Sequence, residues 1–147
     1  MKRKMTDVLN ETVSSWTVLI VDDTPDNLTV AKTVLEYYGA HVVTASGGAI
    51  ALELLNSVQP TLILLDIRMP DMDGWAVFHA IRANPKTTHI PVIALTAYAM
   101  NSDRTAILEG GFNGYIPKPL DIFTFVEDVA NFIRTPTNQT LHNDVSV

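Results

Sequence analysis

The stretch TLILLDIRMPDMDG, residues 61–74, decides how this chain folds. It opens with a continuous apolar run, stops on Asp66, and passes into a turn-rich loop that ends at Gly74. An apolar run without polar alternation marks a strand covered on both faces, and so a parallel sheet with helices on each side. Three other runs share the design. TVLIVDD (17–23) closes on Asp22 and Asp23, IPVIALTA (90–97) carries Thr96 near its end, and GYIPKP (114–119) places Lys118 just past its own. As parallel strands of one sheet, these runs gather Asp22, Asp23, Asp66, Thr96 and Lys118 at a single edge. That is the edge at which open parallel sheets bind ligands.

Carboxylates held together repel, each pair by roughly 4 kcal/mol at contact distance in a semi-buried setting. Such a group is tolerable only beside a cation or with displaced pKa values. The pattern therefore points to a divalent metal and an anion, with Lys118 and Thr96 holding the anion.

Working outward, each strand is followed by a helical pattern. Leu28, Ala31, Leu35 and Tyr38 fall at helical spacing behind Asp26 or Asn27 as a cap, and Gly39 closes the segment. His41–Thr44 is a short strand, broken from the next helix by Ser46-Gly47-Gly48. Residues 49–58 read as a helix with Leu52 and Leu55 inward, stopped by Pro60. Residues 76–83 follow with Val77, Phe78 and Ile81 on the buried stripe. Asn101 or Ser102 caps a helix running to Glu109, ended by Gly110-Gly111. After Pro119, a clean amphipathic stripe is formed by Ile122, Phe125, Val126, Val129, Phe132 and Ile133. Right-handed crossovers then dictate an α/β domain, a flavodoxin-like (βα)5 doubly wound parallel sheet of order 2-1-3-4-5. Residues 1–15 are polar without a clear period and read as a disordered N-terminal segment. The domain spans 16–134, and 135–147 reads as a flexible tail.

The chain has 147 residues, of which 47% are apolar, enough for one domain with a sizeable core. A net charge of -6 argues against a nucleic-acid surface, and Lys2, Arg3 and Lys4 read as a solvated start. With no cysteine, disulfides and thiolate metal sites are excluded. There is no secretory signal and no apolar run near the roughly 20 residues of a membrane helix, so a cytoplasmic protein without membrane contact is expected. DMDG invites a calcium loop, but Met69 stands where the first ligand belongs and Ala80 where the closing glutamate does. No phosphate-binding glycine motif supports a nucleotide site. The four histidines lack ligand spacing. Tyr37, Tyr38, Met69 and Met72 read as packing residues, and Trp75 as cover for the base of the loop rather than a partner contact.

VLIVDD, LILLDIRMPDMDG, IPVIALTA and GYIPKPLD together resemble the receiver domain of two-component response regulators, of the single-domain, CheY-like kind, over roughly Thr17 to Arg134. The resemblance implies that Asp66 takes a phosphoryl group from a phosphohistidine on a histidine kinase or histidine phosphotransfer protein. It implies a Mg²⁺ ion, or Mn²⁺ in its place, held by Asp23, Asp66 and the backbone carbonyl of Arg68, with Asp22 acting directly or through water. Thr96 would hydrogen-bond a phosphoryl oxygen, Lys118 would pair with Asp66 and then with the phosphoryl group, and Ala97 would leave the site open. Tyr115 matches an aromatic switch position that moves with Thr96, and Pro119 a proline that follows the lysine through a cis peptide. Arg68 and Tyr98 fall at positions that vary in the family and flank the phosphoryl group; either both face solvent, or Tyr98 covers the group against water while Arg68 pairs with it. Downstream proteins would read the surface of the fourth predicted helix, fifth strand and fifth helix. Such a chain is a phosphorelay switch rather than an enzyme. Alternatives are a receiver fragment of a hybrid histidine kinase, against which a complete small protein is the simpler expectation, and an aspartyl-nucleophile phosphatase. The latter usually has a second acid two residues after the nucleophile, where Arg68 stands here.

Overall fold

The computed structural model describes residues 5–97 and 101–133. Five strands, β1 (Thr17–Val21), β2 (His41–Ala45), β3 (Leu62–Asp66), β4 (Val92–Thr96) and β5 (Gly114–Pro117), form one sheet of order β2-β1-β3-β4-β5. Every neighbouring pair is parallel. The helices are α1 (Met5–Val13), α2 (Pro25–Tyr37), α3 (Gly48–Leu54), α4 (Gly74–Ala83), α5 (Asn101–Glu109) and α6 (residues 125–133). The predicted fold class and strand order hold.

The sheet has two apolar faces because its strands have no polar alternation. Val18, Ile20, Leu62, Leu64, Ile93 and Leu95 point to one side, where they pack with Ala31 and Leu35 of α2 and Phe125, Val126 and Val129 of α6. Their alternates Leu19, Val21, Ile63, Leu65, Val92 and Ala94 point to the other, against Ala51 of α3, Val77, Phe78 and Ile81 of α4, and Ile107 of α5. Each such buried aliphatic or aromatic side chain is worth about 1.5–3 kcal/mol in burial. The register aligns the strand ends: Val21 pairs with Leu65, Asp66 with Leu95, and Thr96 with Pro117. Side chains just beyond those points can face nothing but the edge of the sheet.

Several sequence expectations are corrected. The start of the chain is not disordered from Met5 onward: α1 buries Leu9 and Val13, and Trp16 follows them into the α2–α6 core. Leu9 and Val13 are one helical turn apart, a stripe too short to stand out against its polar neighbours. Helix α2 begins at Pro25 with Thr24 at the cap position, ahead of Asp26 and Asn27, because proline suits the first helical turn. Helix α3 ends at Leu54, short of residue 58; its Ala51 is fully buried, and Leu52 and Leu55, though half-buried, pack against the same core, so their inward reading holds. Tyr37 is 77% exposed and lies outside the core, meeting only the edge of the Tyr38 ring, with centroids 5.3 Å apart. Ile122 is also exposed and precedes the last helix, since the Asp121 carboxylate takes the Phe123 N–H at 2.9 Å and forms a turn there. The tail from residue 135 onward lies outside the described residues.

If α1 belongs to the folded domain, a Leu9→Ala/Val13→Ala variant should lose about 2–4 kcal/mol in urea unfolding. A loss under about 0.5 kcal/mol, the level of an ordinary surface change, would show that α1 does not dock.

Candidate functional site

Asp22 follows β1 directly, and its N–H still donates to the Ala45 carbonyl at 3.1 Å, so the ladder fixes its backbone. Its side chain is fully buried. One carboxylate oxygen accepts the Thr24 N–H at 2.9 Å and the Asn27 amide at 3.5 Å, while the other faces Lys118 Nζ at 2.9 Å. Asp66, the last residue of β3, is 4% exposed. Its Oδ1 accepts the Arg68 N–H at 3.1 Å, and its Oδ2 lies 3.1 Å from the same ammonium. Asp23 is exposed, and one oxygen from each of Asp22, Asp23 and Asp66 lies within 4.8 Å of the others. Thr96 is buried at the end of β4, and its carbonyl accepts the Lys118 N–H at 2.7 Å, which ties the lysine's backbone to that strand. The Lys118–Pro119 peptide is cis, as the resemblance implies. A cavity of about 290 Å³ is lined by Asp23, Thr24, Asp66, Ile67, Arg68, Thr96, Ala97 and Lys118. All five strand-end residues singled out in the sequence thus converge.

The electrostatics follow from burial and crowding. Desolvation, then the nearby Asp22 charge, push the Asp66 carboxyl up to about 6, against the opposing pull of Lys118 and the Arg68 N–H. Burial alone would lower Lys118, but its pairing with Asp22 and Asp66 outweighs this and raises it. Lys118 pairs with two of the three carboxylates, so these four side chains, fully ionised, carry an excess of two negative charges. Oxygen-only donors with excess negative charge suit a hard divalent cation.

The other predicted positions are mixed. Gly74 has no positive φ, and its role is space: an added Cβ would lie 2.4 Å from the Asp66 carbonyl oxygen. Trp75 packs edge-on to Phe112 at 5.1 Å and sits where any side chain at Gly110 would collide with its ring, in keeping with a packing role. Tyr115 is half-buried, with the Arg104 guanidinium 5.4 Å from its ring centroid. Arg68 is exposed at the cavity rim, and Tyr98 lies outside the described residues. Sequence reasoning passed over Asn27 and Thr24 as partners of Asp22. It also passed over Asp71, whose carboxylate reaches the start of α3. The short polar side chains of Asn27 and Asp71, beside an acid or a turn, were the available signal, whereas Thr24 bonds Asp22 through its backbone N–H.

The raised Asp66 pKa has a signed consequence. A carboxyl at about 3.8 when unfolded and about 6 when folded favours the folded state only while protonated. That contribution is complete below the unfolded value and is lost as pH rises through the folded one. Urea unfolding in chelator should therefore show the parent losing about 2 kcal/mol relative to Asp66→Asn between pH 4.5 and pH 7.5. Parallel stability curves would contradict the assignment.

The response regulator receiver domain family matches residues 18–130. The polar-differentiation response regulator DivK of Brucella anthropi is 34% identical over 116 residues, covering 79% of this chain and 94% of its own. The chemotaxis protein CheY4 of Vibrio cholerae has the same fold with a TM-score of 0.74 at 25% identity, over 79% of this chain and 97% of its own. The receiver domain of the sensor histidine kinase PA1611 from Pseudomonas aeruginosa, with a magnesium ion coordinated in its active-site cleft, superimposes with a TM-score of 0.72 at 32% identity, over 80% and 97%. The sheet order, the strand-end acids and these likenesses agree: the chain belongs to the CheY-like response regulator receiver family of two-component systems.

Proposed function

We propose that this chain is a phospho-accepting switch in which Asp66 receives a phosphoryl group from the phosphohistidine of a histidine kinase or histidine phosphotransfer protein. The observation that carries this reading is the placing of Asp66: it lines the open cavity and also touches Lys118. Asp22 is engaged through both oxygens and fully buried, while Asp23 is exposed. With a pKa near 6, Asp66 is ionised at neutral pH and more basic than an ordinary carboxylate, which suits a nucleophile.

An Asp66 oxygen forms the new P–O bond as the P–N bond of the phosphohistidine breaks, and the imidazole keeps the electron pair and takes up a proton. The Lys118 ammonium, already 3.1 Å from Asp66, follows the negative charge onto the phosphoryl oxygens. Thr96 donates its hydroxyl to one of those oxygens, and Ala97 adds too little bulk to close the cavity. Asp22, Asp23, Asp66 and the Arg68 carbonyl would hold Mg²⁺ or Mn²⁺, a reading supported by the charge excess of the cluster and by the magnesium site of the PA1611 receiver. Bound there, the metal supplies positive charge that offsets the charge of the transferring group. Arg68, at the cavity rim, flanks the phosphoryl group, and Tyr98 has the same role in this reading.

Phosphorylation then biases a two-state surface. Thr96 and Tyr115 shift together, and the face of α5, β5 and α6 presents the change to a downstream protein. Arg104 of α5 over the Tyr115 ring and Phe132 of α6 6.3 Å from it support Tyr115 as the link among these elements. The role is that of a switch rather than an enzyme, and it places the chain in the cytoplasm without direct nucleic-acid contact. Among the described residues no helix is long and apolar enough to cross a membrane.

Intact mass after incubation with acetyl phosphate and Mg²⁺ tests the reading. One Mg²⁺-dependent phosphoryl adduct is expected on the parent and none on Asp66→Asn. No adduct on a folded, metal-bound parent, or an equal adduct on the variant, would overturn it.

A further inference from the structure

The loop between Asp66 and α4 bears Arg68, yet its middle passes outside the sheet, where no ladder fixes it. Its two ends are fixed: Arg68 N–H donates to Asp66 Oδ1 at 3.1 Å, and Gly74 N–H donates to the Ile67 carbonyl at 2.9 Å. A third attachment holds the middle. The Asp71 carboxylate spans the first turn of α3, with Oδ1 3.4 Å from the Gly48 N–H and Oδ2 3.4 Å from the Ala49 N–H. The seat is shaped for it. A Cβ at Gly47 would lie 2.7 Å from Asp71 Oδ2, and one at Gly48 would lie 2.8 Å from Met72 Cβ. Gly47 is extended, at φ -170°, so it spares space here rather than adopting an unusual backbone.

We propose that Asp71 is a positioning residue: by clamping the loop to the start of α3 it holds the Arg68 backbone against the acid cluster and so sets the affinity of that cluster for a divalent cation. The inference rests on the metal-binding reading above. Groups that orient ligands without touching the metal commonly change affinity by about 10–100-fold when removed. An exposed carboxylate reaching two N–H groups at 3.4 Å belongs at the lower end of that range.

The test is a Mg²⁺ titration of the full chain, read by the fluorescence of Trp75, which lines cavities together with Arg68. Asp71→Ala should weaken binding about tenfold. Gly47→Ala, which displaces the carboxylate without removing its charge, should weaken it in the same direction. Asp71→Asn keeps an acceptor oxygen but no charge and should retain most of the affinity. Parent-like affinity in Asp71→Ala, or an equal loss in Asp71→Asn, would overturn the clamp. Should Asp71→Ala fail to fold, amide exchange on the parent decides: Gly48 and Ala49 N–H groups protected beyond their exposure support the clamp, and free exchange refutes it. A parent that binds no Mg²⁺ would sink the metal-binding reading itself, a result separable from every failure of the clamp.

Discussion

One ammonium cannot neutralise the carboxylates it faces. Lys118 lies 2.9 Å from Asp22 and 3.1 Å from Asp66, and Asp23 completes a group whose oxygens lie within 4.8 Å of one another. The chain holds this unfavourable arrangement because the rest of the fold leaves the groups no alternative. Asp22 follows β1 and Asp66 ends β3, strands whose every side chain is buried, or nearly so, and the register of a parallel sheet brings those strand ends level. Relaxing the repulsion would mean sliding a strand, and a one-residue slip moves its apolar side chains to the wrong face. The two apolar cores thus supply the free energy that keeps the acids together.

This division of labour explains the pKa pattern. Asp66 is raised because burial and Asp22 act on it together, and the ammonium only partly offsets them. Asp22 and Asp66 do not share the same surroundings. Asp22 is enclosed by the Thr24 N–H, the Asn27 amide and the ammonium, whereas Asp66 borders the cavity. The first is a buried anchor for the lysine. The second is a carboxylate with room in front of it.

Much of this was legible in the sequence, for a physical reason. Strands buried on both faces write themselves as unbroken apolar runs, and TVLIV and LILL are such runs. Their polar terminators therefore mark the sheet edge without any structure. What the sequence concealed were contacts made by short or isolated features. α1 docks through Leu9 and Val13, a stripe too brief for periodicity to reveal. Tyr37 has the composition of a packing residue but the position of an exposed one, since its neighbour Leu35 holds the buried face. Asp71 sits in a motif whose spacing excludes calcium, and nothing local connects it with Gly47 and Gly48, more than twenty residues earlier in the chain. Such long-range pairings have no periodic signature.

The acid cluster is under-neutralised by Lys118, and in the proposed function a divalent cation completes it. Calorimetric titration of Mg²⁺ into the full chain, repeated in buffers of different ionisation enthalpy at pH 6 and pH 7.5, tests this most directly. One-site binding is expected, weaker at pH 6 and accompanied there by release of about half a proton as Asp66 ionises, with little release at pH 7.5. Binding of equal strength and no proton release at either pH would mean that Asp66 does not ionise on binding, and the absence of any binding would mean that no cation completes the cluster.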